Sequence, residues 1–175
     1  IYQELALATH LTVAENIMLG IEPGGNLLLD KPLLKKTTQT ALNEVGLDPG
    51  LWSRDTNTLS LGEQQLVEVA RAIASGFQVL VLDEPTSSLT DADRIRLFRL
   101  IAKLRDQGKA IIYISHFMEE IFEISDSYTV LRDGRDVKTG SIKETSVHQI
   151  TSAMVARNLI SLYHRSTRRR GEAVL

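Results

Sequence analysis

The sequence predicts an α/β fold: a parallel sheet flanked by helices, preceded by a small helical subdomain. Three observations carry this. Val79-Leu80-Val81-Leu82 and Ala110-Ile111-Ile112-Tyr113-Ile114 are continuous apolar runs rich in β-branched residues, the pattern of strands buried on both faces of a parallel sheet. Between them, Ile95, Leu97, Phe98, Ile101 and Leu104 recur at helical spacing, with Arg94, Arg96, Arg99 and Lys103 on the remaining surface and Gly108 as the stop. Ahead of both, capping signals and breakers mark out short helices. Strand, helix and strand form a βαβ unit, whose right-handed crossover sets the two strands parallel. Their C-terminal ends then leave the sheet on one edge, where open α/β sheets bind ligands.

The other elements follow in chain order. Thr12-Val13-Ala14-Glu15 has the Thr-x-x-Glu spacing of a capping box and opens a short helix that ends near Gly20. Pro23-Gly24-Gly25-Asn26 reads as a loop. Pro32 to Val45 reads as a helix with proline in its first turn and Gly46 as its stop, and Asp48-Pro49-Gly50 breaks the chain again. Ser60-Leu61-Gly62-Glu63 repeats the capping-box spacing and opens a helix whose apolar face is Leu66, Val69, Ala70 and Ile73. After the βαβ unit, Tyr128 to Arg132, then Asp133-Gly134, then Arg135 to Val137 read as a hairpin with the Asp-Gly turn such ribbons prefer. A last helix is expected over Val147 to Arg157. These elements divide the chain into a helical subdomain at about 10–75, an α/β part at about 76–164 and a basic tail at 165–175.

Composition excludes more than it assigns. At 175 residues and 43% hydrophobic, the chain is long enough for one substantial core. Twenty basic residues against 22 acidic ones leave a net charge of −2, which gives no field for nucleic acid as a general partner. With no cysteine, thiolate metal sites and disulfides are out, which fits a reducing compartment. The four histidines lack ligand-like spacing, and the longest apolar runs fall far short of the ~20 residues that cross a bilayer. Any membrane connection therefore runs through a partner. Because the chain opens on Ile1 rather than methionine, it reads as a fragment of a longer protein.

Three places carry chemistry. Asp83 and Glu84 end an apolar strand, and adjacent carboxylates there are costly to desolvate unless a cation, a hydrogen bond or solvent compensates them. A magnesium site or a solvated turn both satisfy that requirement. For the magnesium site, Asp83 would hold the ion and Glu84 would polarise an attacking water. Ser60 opens a helix, so its hydroxyl, the free N–H groups and the close approach allowed by Gly62 suit a phosphate, although an ordinary capped helix has the same signature. His116 follows a strand on the same edge as Glu84, where an imidazole could hold a phosphate oxygen or the attacking water.

In this order, the motifs resemble those of the ATP-binding cassette (ABC) ATPases, and in particular the first cassette of the ATPases that energise ribose-type and other monosaccharide importers. Leu59 to Gln65 is similar to the family's signature turn, Val79 to Thr86 to its Walker B strand, and His116 to its switch histidine. Gln3 resembles the Q-loop glutamine. Leu11 to Ile17, Tyr113 to Ile121, Val130 to Gly134 and Met154 to Arg157 also resemble the sugar-importer branch. The signature departs from many cassettes in having Leu61 and Glu63, and Thr90 stands where most place the D-loop aspartate, with Asp91 beside it.

The resemblance implies a P-loop NTPase-like fold, ATP and Mg2+ as cofactors, and a peripheral place on the cytoplasmic face of the membrane. It further implies a second cassette and transmembrane permease subunits as partners, with no nucleic acid. Glu84, His116 and Gln3 become the catalytic set and Asp83 with Gln3 the metal set. Ser60, Leu61, Gly62 and Glu63 would contact a nucleotide held by a partner cassette. The phosphate loop G-x-x-x-x-G-K-[ST] has no match here: the one Gly-Lys pair, Gly108-Lys109, has Lys103 and Ala110 at the outer positions. Charge-assisted hydrogen bonds contribute about 1.5–3 kcal/mol each, so these residues alone should bind and hydrolyse ATP poorly, which calorimetry would check. A competing reading is a non-catalytic cassette that only completes a partner's site or docks on the permease.

Overall fold

The computed structural model describes residues 1, 6–25 and 28–155. They fall into two compact units, the first spanning Ile1–Ile124 and the second beginning at Ser125.

Capping chemistry sets the helices of the first unit. In α1 (Val13–Met18), Thr12 Oγ1 accepts from the Glu15 N–H and Glu15 Oε2 accepts from the Thr12 N–H at 2.8 Å, closing the expected box. These bonds favour the carboxylate and lower the Glu15 pKa. Where the sequence reads as a loop, β1 (Gly24–Gly25) and β2 (Leu28–Leu29) pair in a small antiparallel hairpin. Glycine admits it, because Gly24 has φ +140° and a Cβ there would overlap the Leu28 carbonyl oxygen. Asp30 caps α2 (Lys31–Glu44) with Pro32 in its first turn, and Gly46 in the left-handed region follows its end. Two short 3-10 turns, Pro49–Ser53 and Thr56–Thr58, lead to α3 (Leu61–Ala74).

Next come β3 (Val79–Asp83), α4 (Asp91–Asp106), β4 (Ala110–Ile114) and α5 (Met118–Ile124). β3 and β4 are parallel, with Val79 opposite Ala110 and Asp83 opposite Ile114, as the βαβ pattern predicts. Among the described residues, the strands are buried on one face. Leu80 and Leu82 are buried, whereas Val79 is 54% and Val81 41% exposed, because the helical core packs against one side of the pair among the described residues. Similarly, Ile95 is exposed and Leu100 buried, since Leu97, Leu100, Ile101 and Leu104 make the i, i+3, i+4 stripe of α4 and Ile95 lies off it. On the other edge of β3, the Ile1 backbone nitrogen donates to the Val81 carbonyl at 2.9 Å, and the Asp83 N–H donates to the Ile1 carbonyl at 3.3 Å. One apolar cluster joins α1, α2, α3, β3 and α4.

A buried carboxylate makes this unit sensitive to pH. Glu68 on α3 accepts from the Ala6 N–H through Oε1, while its buried Oε2 has no partner among the described residues. Burial raises its pKa. The folded state therefore holds a proton that the unfolded chain has already released, so stability is gained below the ordinary glutamate range and lost as pH rises through the raised value. Glu68→Gln keeps the acceptor for Ala6 and removes this dependence. Urea midpoints of the native chain should gain on those of the variant between pH 7 and pH 5, and parallel midpoints would refute the assignment.

In the second unit, β5 (Ser127–Arg132) and β6 (Arg135–Ser141) form the expected antiparallel hairpin. Asp133 and Gly134, at φ +52° and +74°, make its turn of type I′. α6 (Val147–Val155) follows, and Arg132 Nη1 donates to the Ala153 carbonyl at 2.8 Å. The remainder of the expected helix, to Arg157, and the basic end from Arg165 lie outside the described residues.

Candidate functional site

Parallel pairing brings the acidic couple and the imidazole together. Because Asp83 is level with Ile114, the residues that follow each strand emerge side by side, and the Glu84 N–H donates to the Ile114 carbonyl at 2.9 Å. Glu84 then adopts φ +44°, a left-handed conformation that costs an ordinary residue about 1–2 kcal/mol. The outcome is a direct contact: His116 Nδ1 lies 2.9 Å from Glu84 Oε1. If Nδ1 donates its proton there, Nε2 carries the lone pair of the neutral ring, or a second N–H in the cation. The ring also stacks obliquely on Phe117, with centroids 4.1 Å apart. His116 is half exposed and Glu84 partly so, which leaves both open to a ligand. The cleft beside them is lined by Asp91, Arg94, His116, Phe117, Met118, Glu119 and Glu120.

At the head of α3, the helix end is already engaged. Ser60 Oγ accepts from the Glu63 N–H at 3.3 Å, and Glu63 Oε2 accepts both from the Ser60 N–H at 2.8 Å and from the Ser60 hydroxyl at 2.9 Å. That leaves the N–H groups of Leu61 and Gly62 as the first-turn donors without an intrahelical acceptor. None of Ser60 to Glu63 lines the His116 cleft. The chain thus holds two separate arrangements, one at the strand ends and one at a helix start.

Gly62 has an internal reason to be glycine. A Cβ there would stand 2.5 Å from Cγ and Oδ2 of Asp93 on α4. That carboxylate is held in place, accepting from the Thr90 hydroxyl at 2.7 Å and lying 3.8 Å from Arg96. Gly62→Ala is accordingly expected to destabilise the fold by about 1–2 kcal/mol despite alanine's better helix propensity. Adding Asp93→Ala should recover most of that loss in a double-mutant cycle read by urea unfolding, and strict additivity would exclude the contact as the cause. Thr90 is committed to capping α4, whereas the neighbouring Asp91 side chain is 95% exposed and, among the described residues, pairs only with Arg94, at 3.9 Å.

Gln3 lies outside the described residues. Sequence reading assigned no role to a cluster behind His116: Tyr113 Oη and Ser115 Oγ both donate to the buried Glu120 carboxylate. The sequence signal was present, in the form of a glutamate one helical turn beyond His116, but nothing local distinguishes it from the exposed Glu119 and Glu123 on the same helix.

The chain is similar to known proteins over most of its length. The ABC transporter family model matches residues 1–87. The xylose import ATP-binding protein of Moorella thermoacetica is 46% identical over 163 residues, covering 93% of this chain and 32% of its own length. The ribose import ATP-binding protein of Caldanaerobacter subterraneus subsp. tengcongensis is 43% identical over 176 residues, covering 100% of this chain and 35% of its own. The chain thus spans about a third of the length of the curated relatives it matches. The dimeric structure of an ATP-binding cassette in a post-hydrolysis state, bound to ADP and Pi, matches with a TM-score of 0.69 at 24% identity, over 81% of this chain and 61% of that one. At that identity the likeness is one of fold.

Proposed function

Because these residues make up part of an ABC transporter ATPase domain homologous to ribose- and xylose-import ATP-binding proteins, we propose that they belong to the ATP-hydrolysing subunit of a monosaccharide importer. The observation that carries this reading is the 2.9 Å contact between Glu84 and His116 at the common rim of two parallel strands.

The donor set fits magnesium as a substrate-borne ion. Asp83 offers hard carboxylate oxygens at the end of β3, beside the Glu84 carboxylate. Magnesium is usually held in this manner, by one or two carboxylates with waters and phosphate oxygens completing the shell. Bound there through Asp83 and Gln3, it would supply positive charge at the terminal phosphates. Glu84 acts as the base that orients and deprotonates the attacking water. His116 keeps Glu84 oriented through Nδ1 and offers its other nitrogen to the terminal phosphate or the water. The phosphate cradle comes from outside these residues.

Ser60, Leu61, Gly62 and Glu63 act on a nucleotide held by a second cassette. Leu61 and Gly62 contribute N–H groups, and Ser60 joins them when Glu63 releases its hydroxyl. Asp91, rather than Thr90, reaches toward that second cassette. Hydrolysis then drives permease subunits from the cytoplasmic face of the membrane. The test is the complete polypeptide, reconstituted with its permease in vesicles and supplied with ribose, xylose or arabinose. ATP-dependent uptake with Mg-ATP turnover is expected, and absence of turnover under every condition would overturn the reading.

A further inference from the structure

Within the cluster behind His116, the Glu120 carboxylate is only 5% exposed, and a single oxygen, Oε2, accepts from the Tyr113 hydroxyl at 2.9 Å and from the Ser115 hydroxyl at 3.0 Å. Ser115 Oγ in turn accepts from the Phe117 N–H at 3.0 Å. The residues immediately before and after His116 are therefore tied through one hydroxyl to Glu120 on α5, while Tyr113 ties the same oxygen to β4. Burial raises the Tyr113 phenol pKa, so it remains a donor throughout the neutral range. No ion pair engages Glu120 among the described residues, which makes it an expensive group for mere space filling.

His116 itself has few constraints. Its ring is half exposed, and its described contacts are Glu84 and the adjacent Phe117 ring. Where the imidazole meets Glu84 therefore depends on how the Ser115-His116-Phe117 turn is held. We propose that Glu120 is a positioning residue for His116, acting through Ser115 to keep Nδ1 in register with Glu84 Oε1. The inference rests on the reading of His116 as a group that acts in hydrolysis. Glu120 does not touch the reacting atoms; it sets which tautomer and orientation the imidazole presents to them.

The test has two readouts, so that this inference and the ATPase reading fail separately. In the complete polypeptide, long-range 15N spectra of selectively labelled histidine rings report the tautomer of His116. The native chain should favour the Nδ1–H form, as donation to Glu84 requires. Glu120→Ala and Ser115→Ala should each move it toward the Nε2–H form that free histidine prefers, whereas Glu120→Gln, whose single amide oxygen can accept from both hydroxyls, should retain the native state. In the complete polypeptide, Glu120→Ala should lower kcat about tenfold with KM for ATP within about twofold, and Glu120→Gln should restore it.

An unchanged His116 tautomer in both alanine variants would overturn the proposal, as would a fall in kcat that glutamine does not rescue. If Glu120→Ala fails to fold, Ser115→Ala decides the matter, because it leaves the Tyr113–Glu120 bond in place. If the complete polypeptide shows no turnover, the ATPase reading falls and the ring spectra still judge the role of Glu120.

Discussion

Glu84→Gln is expected to lower ATP turnover by the complete polypeptide about 10²–10⁴-fold while leaving its stability and its affinity for Mg-ATP nearly unchanged. The substitution is close to isosteric. A glutamine oxygen still accepts from His116 Nδ1, now 2.9 Å from Glu84 Oε1, so the geometry of the rim persists. What disappears is the basic carboxylate that takes the water's proton. A loss of transition-state stabilisation with ground-state binding intact should appear as a fall in kcat at constant KM. The left-handed φ of +44° at this position reinforces the expectation, because a non-glycine residue held there is one of the ways a fold stores strain at a working site. Turnover within about threefold of native would remove Glu84 from the reaction.

Asn16→Ala should be the most damaging single change to stability, costing about 2–4 kcal/mol in urea unfolding. Asn16 is fully buried on α1 and acts as a polar hub. Its Oδ1 accepts from the Ala8 N–H at 2.8 Å, and its amide hydrogens reach the Thr56 hydroxyl at 2.9 Å and the Ala8 carbonyl at 3.0 Å. Thr56, also fully buried, passes its own hydrogen to the Leu11 carbonyl at 2.8 Å. The backbone runs alongside, with the Val13 N–H donating to the Arg54 carbonyl at 2.9 Å and Thr56 N–H to Leu11 at 3.1 Å. These bonds pin residues 8–13 to the segment that leads into Ser60. Removing the amide leaves several buried groups without partners at once. Asn16→Leu should be no better, since it refills the volume and still strands the Ala8 N–H. A loss below about 1 kcal/mol would mean that water replaces the amide.

Local chemistry was legible in the sequence wherever the partners are near in the chain. Thr12 with Glu15 and Ser60 with Glu63 close boxes three residues apart, and both appear in the structure as their spacing predicts. Asp133-Gly134 supplies the two positive φ angles that its hairpin needs. The strand–helix–strand pattern was enough to bring Glu84 and His116 to one edge, because a parallel crossover leaves no other arrangement. Which face of β3 meets the helical core was not legible. An apolar run records which residues tolerate burial, and only the packed helices decide which face receives it.

Sequence alone therefore determined the capped helices, the parallel strand pair, the Asp133-Gly134 hairpin and the meeting of Glu84 with the imidazole, since these follow from short-range sterics, capping and the handedness of the chain, whereas the β1–β2 hairpin and α5 appeared only in the structure. Tertiary structure alone decided what stands behind those residues. Asp93 against Gly62, Thr56 against Asn16, and Glu120 beneath the His116 turn are encounters between residues from different elements. Their energies depend on close packing and on satisfying buried polar groups, which vary over fractions of an ångström and leave no period in the chain.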